Sequence, residues 1–140
     1  MIDIFVINLD RRPDRLQHMA GQLKEYNWVR CPAADGKDAS LKSLRMKGWY
    51  PDTLWRDPLL KRQLTNTEVG CFVSHHKCWE KIVEINRPAI IFEDDIELIK
   101  PLDLIEIKTI IESCDILYLG YREMSAATDV GELLQRPRYP

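Results

Sequence analysis

Three adjacent carboxylates, Glu93, Asp94 and Asp95, follow directly on an apolar run at residues 89–92. Like charges this close repel one another, and the repulsion is less screened beside a buried segment than in water. Water, a helix N-terminus, basic side chains or a metal ion would each relieve it. If the strand geometry continues to Asp95, the side chains of Glu93 and Asp95 share one side and that of Asp94 points to the other.

An acid-x-acid pair that faces one cleft suits Mg²⁺ or Mn²⁺. These hard cations take oxygen ligands and fill their remaining positions with water and phosphate oxygens. The alternative interpretation is a solvated acidic turn that leads into the next helix, because short acidic runs also occur without a ligand. The spacing alone leaves both interpretations open.

A basic cluster, Arg11, Arg12 and Arg15, follows the first apolar run of the chain. It coincides with a predicted helix N-terminus, whose amides favour anions, and the guanidinium fork suits phosphate oxygens. In the alternative interpretation Arg11 and Arg15 pair with Asp10 and Asp14 on an exposed face. Two clusters of opposite charge at one sheet edge favour the ligand interpretation, in which one cluster holds a metal and the other a diphosphate. This interpretation predicts open space for the metal-bound diphosphate between the guanidinium groups and the carboxylates.

A third stretch, residues 68–79, combines Gly70, Cys71, Ser74 and His75 on a predicted helix. Glycine in a first helical turn costs up to about 1 kcal/mol relative to alanine, so Gly70 is predicted to permit close approach of backbone or ligand. Zinc binding by Cys71, His75 and Cys78 is disfavoured, because one helix cannot aim enough ligands at one point and no paired C-x-x-C exists. Ser74 and His75 are predicted at a pocket wall.

Strands and helices alternate along the chain. The apolar run at residues 2–9 carries one charge, Asp3, and is predicted to be a central strand covered on both faces. Strands are predicted at 2–9, 28–31, 89–92 and 116–119, and helices from Arg12-Pro13, from a Thr65 capping box, and over 102–111, with an irregular segment at 37–64. The first helix carries an apolar stripe of Leu16, Met19, Ala20 and Leu23. The second carries Val69, Phe72, Val73, His76, Trp79, Ile82 and Val83, and its His76, Cys78 and Trp79 are predicted to pack in the core. The alternation favours an α/β fold, a parallel sheet that binds ligands at the carboxyl ends of its strands.

The composition is that of an ordinary globular domain, with 30% charged and 45% hydrophobic residues. The net charge of -2 argues against a general nucleic-acid binder. One domain is predicted over 1–121, followed by a loop or loosely ordered tail at 122–140. Because no signal peptide or membrane-length segment is apparent, we expect a cytoplasmic protein, working near the inner face of a membrane, with reduced cysteines.

Taken together, these stretches resemble glycosyltransferase family 25, the lipopolysaccharide-type and procollagen-type galactosyltransferases. The resemblance covers roughly residues 1–120 and rests on four motifs in the family's order. The matching residues are Ile7-Asn8-Leu9 through Asp14-Arg15; Asp35-Gly36; Glu68, Gly70, Cys71, Ser74, His75 and Trp79; and Glu93-Asp94-Asp95.

The resemblance implies a GT-A-like (Rossmann-like), mostly parallel sheet flanked by helices. Because family domains run well beyond 140 residues, three explanations stay open: a truncated version, a short variant that completes its site through a partner, or an inactive remnant. It also implies a UDP-sugar donor, often UDP-galactose, and transfer with inversion to a glycan, lipopolysaccharide or hydroxylysine hydroxyl. On this basis Asp95 would bind Mn²⁺ or Mg²⁺, with Glu93 on the metal or on the ribose and Asp94 in support. The implied donor-site residues are Asn8, Leu9, Arg11, Arg12, Arg15, Asp35, Gly36, Glu68, Gly70, Ser74, His75 and Asp94.

Several properties stay open at the level of sequence. No residue is assigned as the general base that inversion needs, since Asp115 begins a predicted strand and Glu123 has position but no motif. The sugar, the acceptor and the oligomeric state are undetermined, although a homo-oligomer is compatible with the chain. The alternative function is a catalytically incomplete family member that binds a nucleotide sugar or a partner in glycan assembly.

Overall fold

The structure is a computed structural model that describes residues 2–38, 56, 58 and 61–120, together with the backbone of two strands at 127–129 and 135–137. The chain divides into two compact units, Met1–Pro101 and Leu102–Pro140. The first unit contains β1 (Asp3–Asn8), α1 (Pro13–Gln22), β2 (Trp28–Pro32), α2 (Asn66–Ile85) and β3 (Ala89–Glu93). The second contains α3 (Leu104–Ile111), β4 (Ala127–Asp129) and β5 (Gln135–Pro137).

A parallel three-stranded sheet in the order β2-β1-β3 forms the centre of the first unit. The apolar run of β1 is buried because it has a strand on each side and helices packed against it, as predicted for a central strand. Phe5 and Ile7 pack with Cys78 of α2 on one face, while Ile4 and Val6 point to the other. The predicted α/β class, a Rossmann-like parallel sheet flanked by helices, is confirmed.

The helix α1 begins at Pro13, whose missing N–H costs nothing in a first turn. Its predicted apolar stripe is confirmed at Met19, and Leu23, which follows as the C-cap, is also fully buried. Leu16 and Ala20 are half-buried. The helix packs against β1, so the loop from Leu9 to Arg12 crosses the carboxyl end of the central strand.

The capping box predicted at Thr65 is present at the start of α2. The Thr65 hydroxyl accepts from the Glu68 amide at 3.3 Å, and the Glu68 carboxylate accepts from the Thr65 amide at 2.7 Å. The helix ends at Ile85, and the C-cap residue Asn86 adopts a left-handed conformation with φ 50°. Reciprocal capping therefore fixes the first turn, and Gly70 and Cys71 follow in the second turn.

One side chain predicted in the core of α2 lies outside it. Trp79 is 45% exposed and meets Phe72, itself 40% exposed, in an edge-on contact with ring centroids 6.3 Å apart. Cys78 is fully buried, and His76 is half-buried. Since successive helical residues are rotated by about 100°, burying Cys78 against the sheet turns Trp79 onto the adjacent face. The core prediction is thus right for Cys78 and wrong for Trp79.

In the second unit the predicted helix is confirmed as α3, capped by the Asp103 side chain. The strand predicted at 116–119 is wrong, since residues 116–120 have no regular structure and join neither of the two described sheets. Alternating apolar residues form a strand only where a neighbour satisfies their backbone groups. Within 122–140, predicted as loop or tail, β4 and β5 pair antiparallel.

Two further predictions concern residues that lie mostly outside the described part of the chain. The irregular segment 37–64 lies outside them, apart from residues 37, 38, 56, 58 and 61–64. Among the described residues, no helix is both long enough and apolar enough to cross a bilayer. The domain boundary at 121 stays a prediction.

Candidate functional site

The carboxyl ends of β1 and β3 bring the acidic and basic clusters together. Ile7 lies opposite Glu93 in the parallel register, so Asn8 and Asp94 leave the sheet side by side. The Asn8 amide donates to the Asp94 carboxylate at 2.7 Å, and both residues are buried, at 1% and 7% exposure. The sheet edge therefore joins the two stretches across 86 residues of sequence.

Asn8 links the start of α1, the strand β2 and the end of β3 to the carboxyl end of β1. Its side-chain amide also donates to the Arg12 carbonyl at 2.9 Å, and its side-chain oxygen accepts from Arg30 Nε at 3.0 Å. Arg30 additionally donates to the Asn8 carbonyl at 3.2 Å and to the Asp10 carboxylate. Sequence reasoning missed Arg30, although a basic residue within a short apolar strand next to the central strand is a usable signal. A buried asparagine with these partners fixes the start of α1 relative to both outer strands.

Arg15 bridges the two clusters directly. Its Nη1 lies 3.0 Å from an Asp94 carboxylate oxygen and 3.1 Å from an Asp95 carboxylate oxygen. The arginine comes from the first turns of α1, and the carboxylates come from the turn that follows β3. The expected open space for a diphosphate between guanidinium and carboxylates is thus closed at Arg15 by ion pairs.

The other two arginines of the basic cluster also have carboxylate partners. Arg11 pairs with Asp35 at 2.6 Å, and Arg12 pairs with Asp14 at 2.6 Å. Hydrogen bonding to Arg12 lowers the pKa of Asp14 to about 2, and hydrogen bonding to Arg11 lowers the pKa of Asp35. The local pairs considered from sequence, Arg11 and Arg15 with Asp10 and Asp14, are wrong, because each of these arginines reaches a carboxylate outside that pair.

The Glu93 carboxylate contacts two side chains of α2. The strand ends at Glu93 and turns at the next two residues, so the alternation that would have placed Glu93 and Asp95 on one side does not continue. The Glu93 carboxylate lies 3.1 Å from His75 Nε2 and 3.9 Å from Cys71 Sγ. The hydrogen bond from His75 lowers the pKa of Glu93 although burial opposes it, while burial and the Glu93 charge raise the pKa of Cys71.

In the oxygen-only pair expected for Mn²⁺ or Mg²⁺, Asp95 is ion-paired with Arg15 and Glu93 is hydrogen-bonded to His75. The ligand atoms that converge are those of Cys71, His75 and Glu93, all within 4.8 Å of one another. This set contains sulfur and nitrogen, which hard cations do not favour. The converging set therefore suits a softer cation, and binding of Mn²⁺ or Mg²⁺ by Glu93 and Asp95 stays a prediction.

The glycines of the predicted site permit close packing of backbone against backbone. A Cβ on Gly70 would lie 2.6 Å from the Ala34 carbonyl oxygen, and a Cβ on Gly36 would lie 2.7 Å from the Asn66 carbonyl oxygen. Ser74 is 3% exposed, and its hydroxyl donates to the Gly70 carbonyl at 2.6 Å and accepts from the Ala34 amide at 2.9 Å. The close approach predicted at Gly70 is confirmed, with the loop after β2 as its partner.

Two remaining candidates have local contacts. Glu68 completes the capping box and pairs with Arg62 at 2.7 Å, which together lower its pKa to about 2. The carbonyl of Leu9 accepts from the Arg12 amide at 2.9 Å and closes the turn before α1. These contacts account for the positions of both residues, and their proposed contacts with a donor stay predictions.

Comparisons with known proteins give a consistent result. The family described as "Glycosyltransferase family 25 (LPS biosynthesis protein)" matches residues 1–128. A "Glycosyltransferase 25 family member" of Aedes aegypti is 40% identical over 96 residues, covering 66% of this chain and 16% of the relative. No solved structure matches the chain significantly.

Two mammalian relatives carry more specific names. "Procollagen galactosyltransferase 2" of Mus musculus is 36% identical over 99 residues, covering 67% of this chain and 16% of the relative. "Inactive glycosyltransferase 25 family member 3" of Homo sapiens is 32% identical over 134 residues, covering 88% of this chain and 22% of the relative. The chain thus spans less than a quarter of the length of the curated relatives it matches.

Proposed function

Since this chain belongs to glycosyltransferase family 25, we propose that it binds a nucleotide-sugar donor and moves the sugar to a glycan hydroxyl. In its specific form the donor is UDP-galactose, the acceptor is a lipopolysaccharide or lipooligosaccharide glycan, and transfer inverts the anomeric centre. A location at the cytoplasmic face of a membrane is part of the same proposal. The name of the mouse relative supports the choice of galactose.

One observation supports the donor site most directly: the basic cluster lies at the N-terminus of α1, beside the carboxyl ends of two parallel strands. That edge is where α/β sheets bind ligands, and helix N-terminal amides favour phosphate. A diphosphate would compete with Asp94 and Asp95 for Arg15. Donor binding on this proposal exchanges an internal ion pair for a ligand contact, while Asn8 keeps the start of α1 in place.

The proposed chemistry depends on charge. As the sugar-phosphate bond breaks, negative charge develops on the diphosphate and the sugar becomes oxocarbenium-like. Guanidinium groups already held at the sheet edge would stabilise that charge through charge-assisted hydrogen bonds. Binding of Mn²⁺ or Mg²⁺ by Glu93 and Asp95 stays a prediction, and no step is assigned to it. Inversion also requires a base for the acceptor hydroxyl, and none of the described residues is assigned that role.

The donor site is tested by titrating UDP, UDP-galactose and UDP-glucose into the full chain by calorimetry, with and without Mn²⁺. Arg15→Gln should weaken binding of the diphosphate compounds about tenfold or more, because a charged hydrogen bond contributes about 1.5–3 kcal/mol. Lys24→Gln removes one positive charge beyond the opposite end of α1 and should leave the affinity within about twofold. Far-UV circular dichroism verifies that both variants fold.

Absence of binding by every UDP compound would overturn the proposal, as would equal effects of the two substitutions.

A second candidate function is a nucleotide-sugar or partner-binding module without turnover. It is favoured by the matches to relatives named inactive, which extend over 88% and 91% of this chain, against 67% for the procollagen galactosyltransferase. UDP-galactose binding without release of UDP in the presence of lipooligosaccharide acceptors would support this second candidate.

A further inference from the structure

A mixed group of ligand atoms lies beside the acidic turn, where α2 approaches the end of β3. Cys71 and His75 are four residues apart, so both side chains leave the same face of α2. Glu93, the last residue of β3, reaches this face, with its carboxylate 3.1 Å from His75 Nε2. Two rigid elements of one compact unit therefore hold a thiol, an imidazole and a carboxylate together.

We infer that Cys71, His75 and Glu93 form a three-ligand site for a borderline transition metal, Zn²⁺ or Co²⁺, in place of the hard cation expected at Glu93 and Asp95. The site is defined by residues of this chain alone. Its occupation does not depend on the proposed donor or acceptor. The inference therefore goes beyond the proposed function.

The distances suit such an ion. Metal–ligand bonds of about 2.3 Å to sulfur and about 2.0–2.2 Å to nitrogen and oxygen place neighbouring tetrahedral ligands about 3.3–3.7 Å apart. The corresponding separations here are 3.1 Å between His75 Nε2 and the Glu93 oxygen and 3.9 Å between Cys71 Sγ and the same oxygen. All three ligand atoms lie within 4.8 Å of one another. Movements below about 1 Å in the side chains suffice to close the set around one ion.

The chemistry of the donors selects the class of metal. Thiolate and imidazole favour zinc-like ions, whereas Mg²⁺ and Mn²⁺ prefer oxygen. The His75 side chain is 27% exposed and that of Glu93 is 51% exposed, so the group opens to solvent on one side. Three protein ligands and one open position are the pattern of zinc sites that take water or a substrate atom as the fourth ligand.

The two neighbouring carboxylates, Asp94 and Asp95, are less available to a cation than Glu93. Asp94 and Asp95 are engaged by Arg15, so a metal at either would have to displace a guanidinium. At Glu93 the ion displaces only the hydrogen bond from His75 and the weak contact from the Cys71 thiol. The mixed group is therefore the easier place for a cation at this sheet edge.

The test is metal titration of the untagged, metal-free full chain with ZnCl₂, CoCl₂ and MnCl₂, without nucleotide. The chain should bind one Zn²⁺ or Co²⁺ more tightly than Mn²⁺, and the cobalt complex should show the near-ultraviolet charge-transfer absorption of a thiolate ligand. Cys71→Ser should abolish that absorption, and His75→Gln and Glu93→Gln should each weaken Zn²⁺ binding about tenfold or more. Far-UV circular dichroism checks the folding of each variant.

Two controls match the ligands one by one. Cys114→Ser removes an exposed thiol outside the group. His18→Gln removes the imidazole of a second histidine–glutamate pair, which has the same 3.1 Å separation from Glu97. Both should leave metal binding unchanged. The inference is overturned if the wild-type chain binds no Zn²⁺ or Co²⁺, if Mn²⁺ binds more tightly, or if Cys71→Ser keeps the thiolate absorption. None of these results depends on whether the chain binds a UDP-sugar.

Discussion

Replacing Gly70 by alanine should destabilise the protein, although alanine is the better helix former. In an open helix interior the exchange from glycine to alanine stabilises by about 0.5–1 kcal/mol. At Gly70 the added Cβ would lie 2.6 Å from the Ala34 carbonyl oxygen and 3.1 Å from the Gly36 amide nitrogen. Both are backbone atoms and cannot rotate away. Either α2 or the loop after β2 must therefore move.

The size of the loss follows from what must move. Backbone shifts forced by an extra carbon in a packed interior cost about 1–3 kcal/mol. Separation of α2 from the loop would also lengthen the 2.9 Å hydrogen bond from the Ala34 amide to Ser74, which contributes about 1 kcal/mol. The gain in helix propensity offsets about 1 kcal/mol of this. The free energy of unfolding should therefore fall by about 1–3 kcal/mol.

Gly21 provides the matched control, because it also lies in a helix but has nothing within 4 Å of an added Cβ. Gly21→Ala should raise the free energy of unfolding by about 0.5–1 kcal/mol, measured by urea titration and linear extrapolation. The same substitution is thus expected to act with opposite signs at the two positions. If Gly70→Ala were as stable as the wild-type chain, the close packing of α2 on the loop after β2 would be refuted.

Three further outcomes follow from the described contacts. Asn8→Ala should lower the free energy of unfolding by about 2–4 kcal/mol in the same urea titration, because it removes a buried hydrogen bond to Asp94 and two others; unchanged stability would contradict its bridging role. The Glu68 carboxylate, with its pKa lowered from 4.5 to about 2 chiefly by Arg62, should stabilise the fold above pH 4.5 and lose that effect as the pH falls to 2. Glu68→Gln should therefore flatten thermal stability against pH over this interval, and an identical profile would argue against the pair. Asp103→Ala removes the hydrogen-bond acceptor for two backbone amides of α3. Hydrogen-exchange protection in the first turn of α3 should therefore fall about fivefold, equivalent to about 1 kcal/mol. Equal protection in the variant and the wild-type chain would exclude a capping role.

Elements whose signals are local could be predicted from the sequence. The single charge within residues 2–9 indicated a strand covered on both sides, and β1 is the central strand. Thr65 and Glu68 have the spacing of a capping box, and α2 begins there. Alternation of strands with helices then fixed a parallel sheet, because short connections leave few other arrangements. The meeting of the acidic and basic clusters at one edge follows from that topology alone.

The side-chain partners could not be predicted, because long side chains reach beyond the residues next to them in sequence. Arg15 passes its neighbour Asp14 and reaches Asp94, 79 positions away. Trp79 belongs to an apolar helical pattern, but whether it or Cys78 faces the sheet depends on how the helix is rotated about its axis. The segment 116–119 has a strand-like composition, yet strand formation depends on a pairing partner that local sequence does not specify.

Glu93 shows how one local detail changes the chemistry of the whole edge. Had β3 continued two residues further, Glu93 and Asp95 would have shared a side and offered oxygen ligands to one cation. The strand stops at Glu93, and the three carboxylates have different partners: Glu93 contacts His75, and Asp94 and Asp95 share Arg15. Their mutual repulsion is relieved by basic partners, so the cluster itself requires no metal. Zinc binding was disfavoured from sequence because its ligands were sought on one helix, whereas the site inferred above takes its third residue, Glu93, from β3.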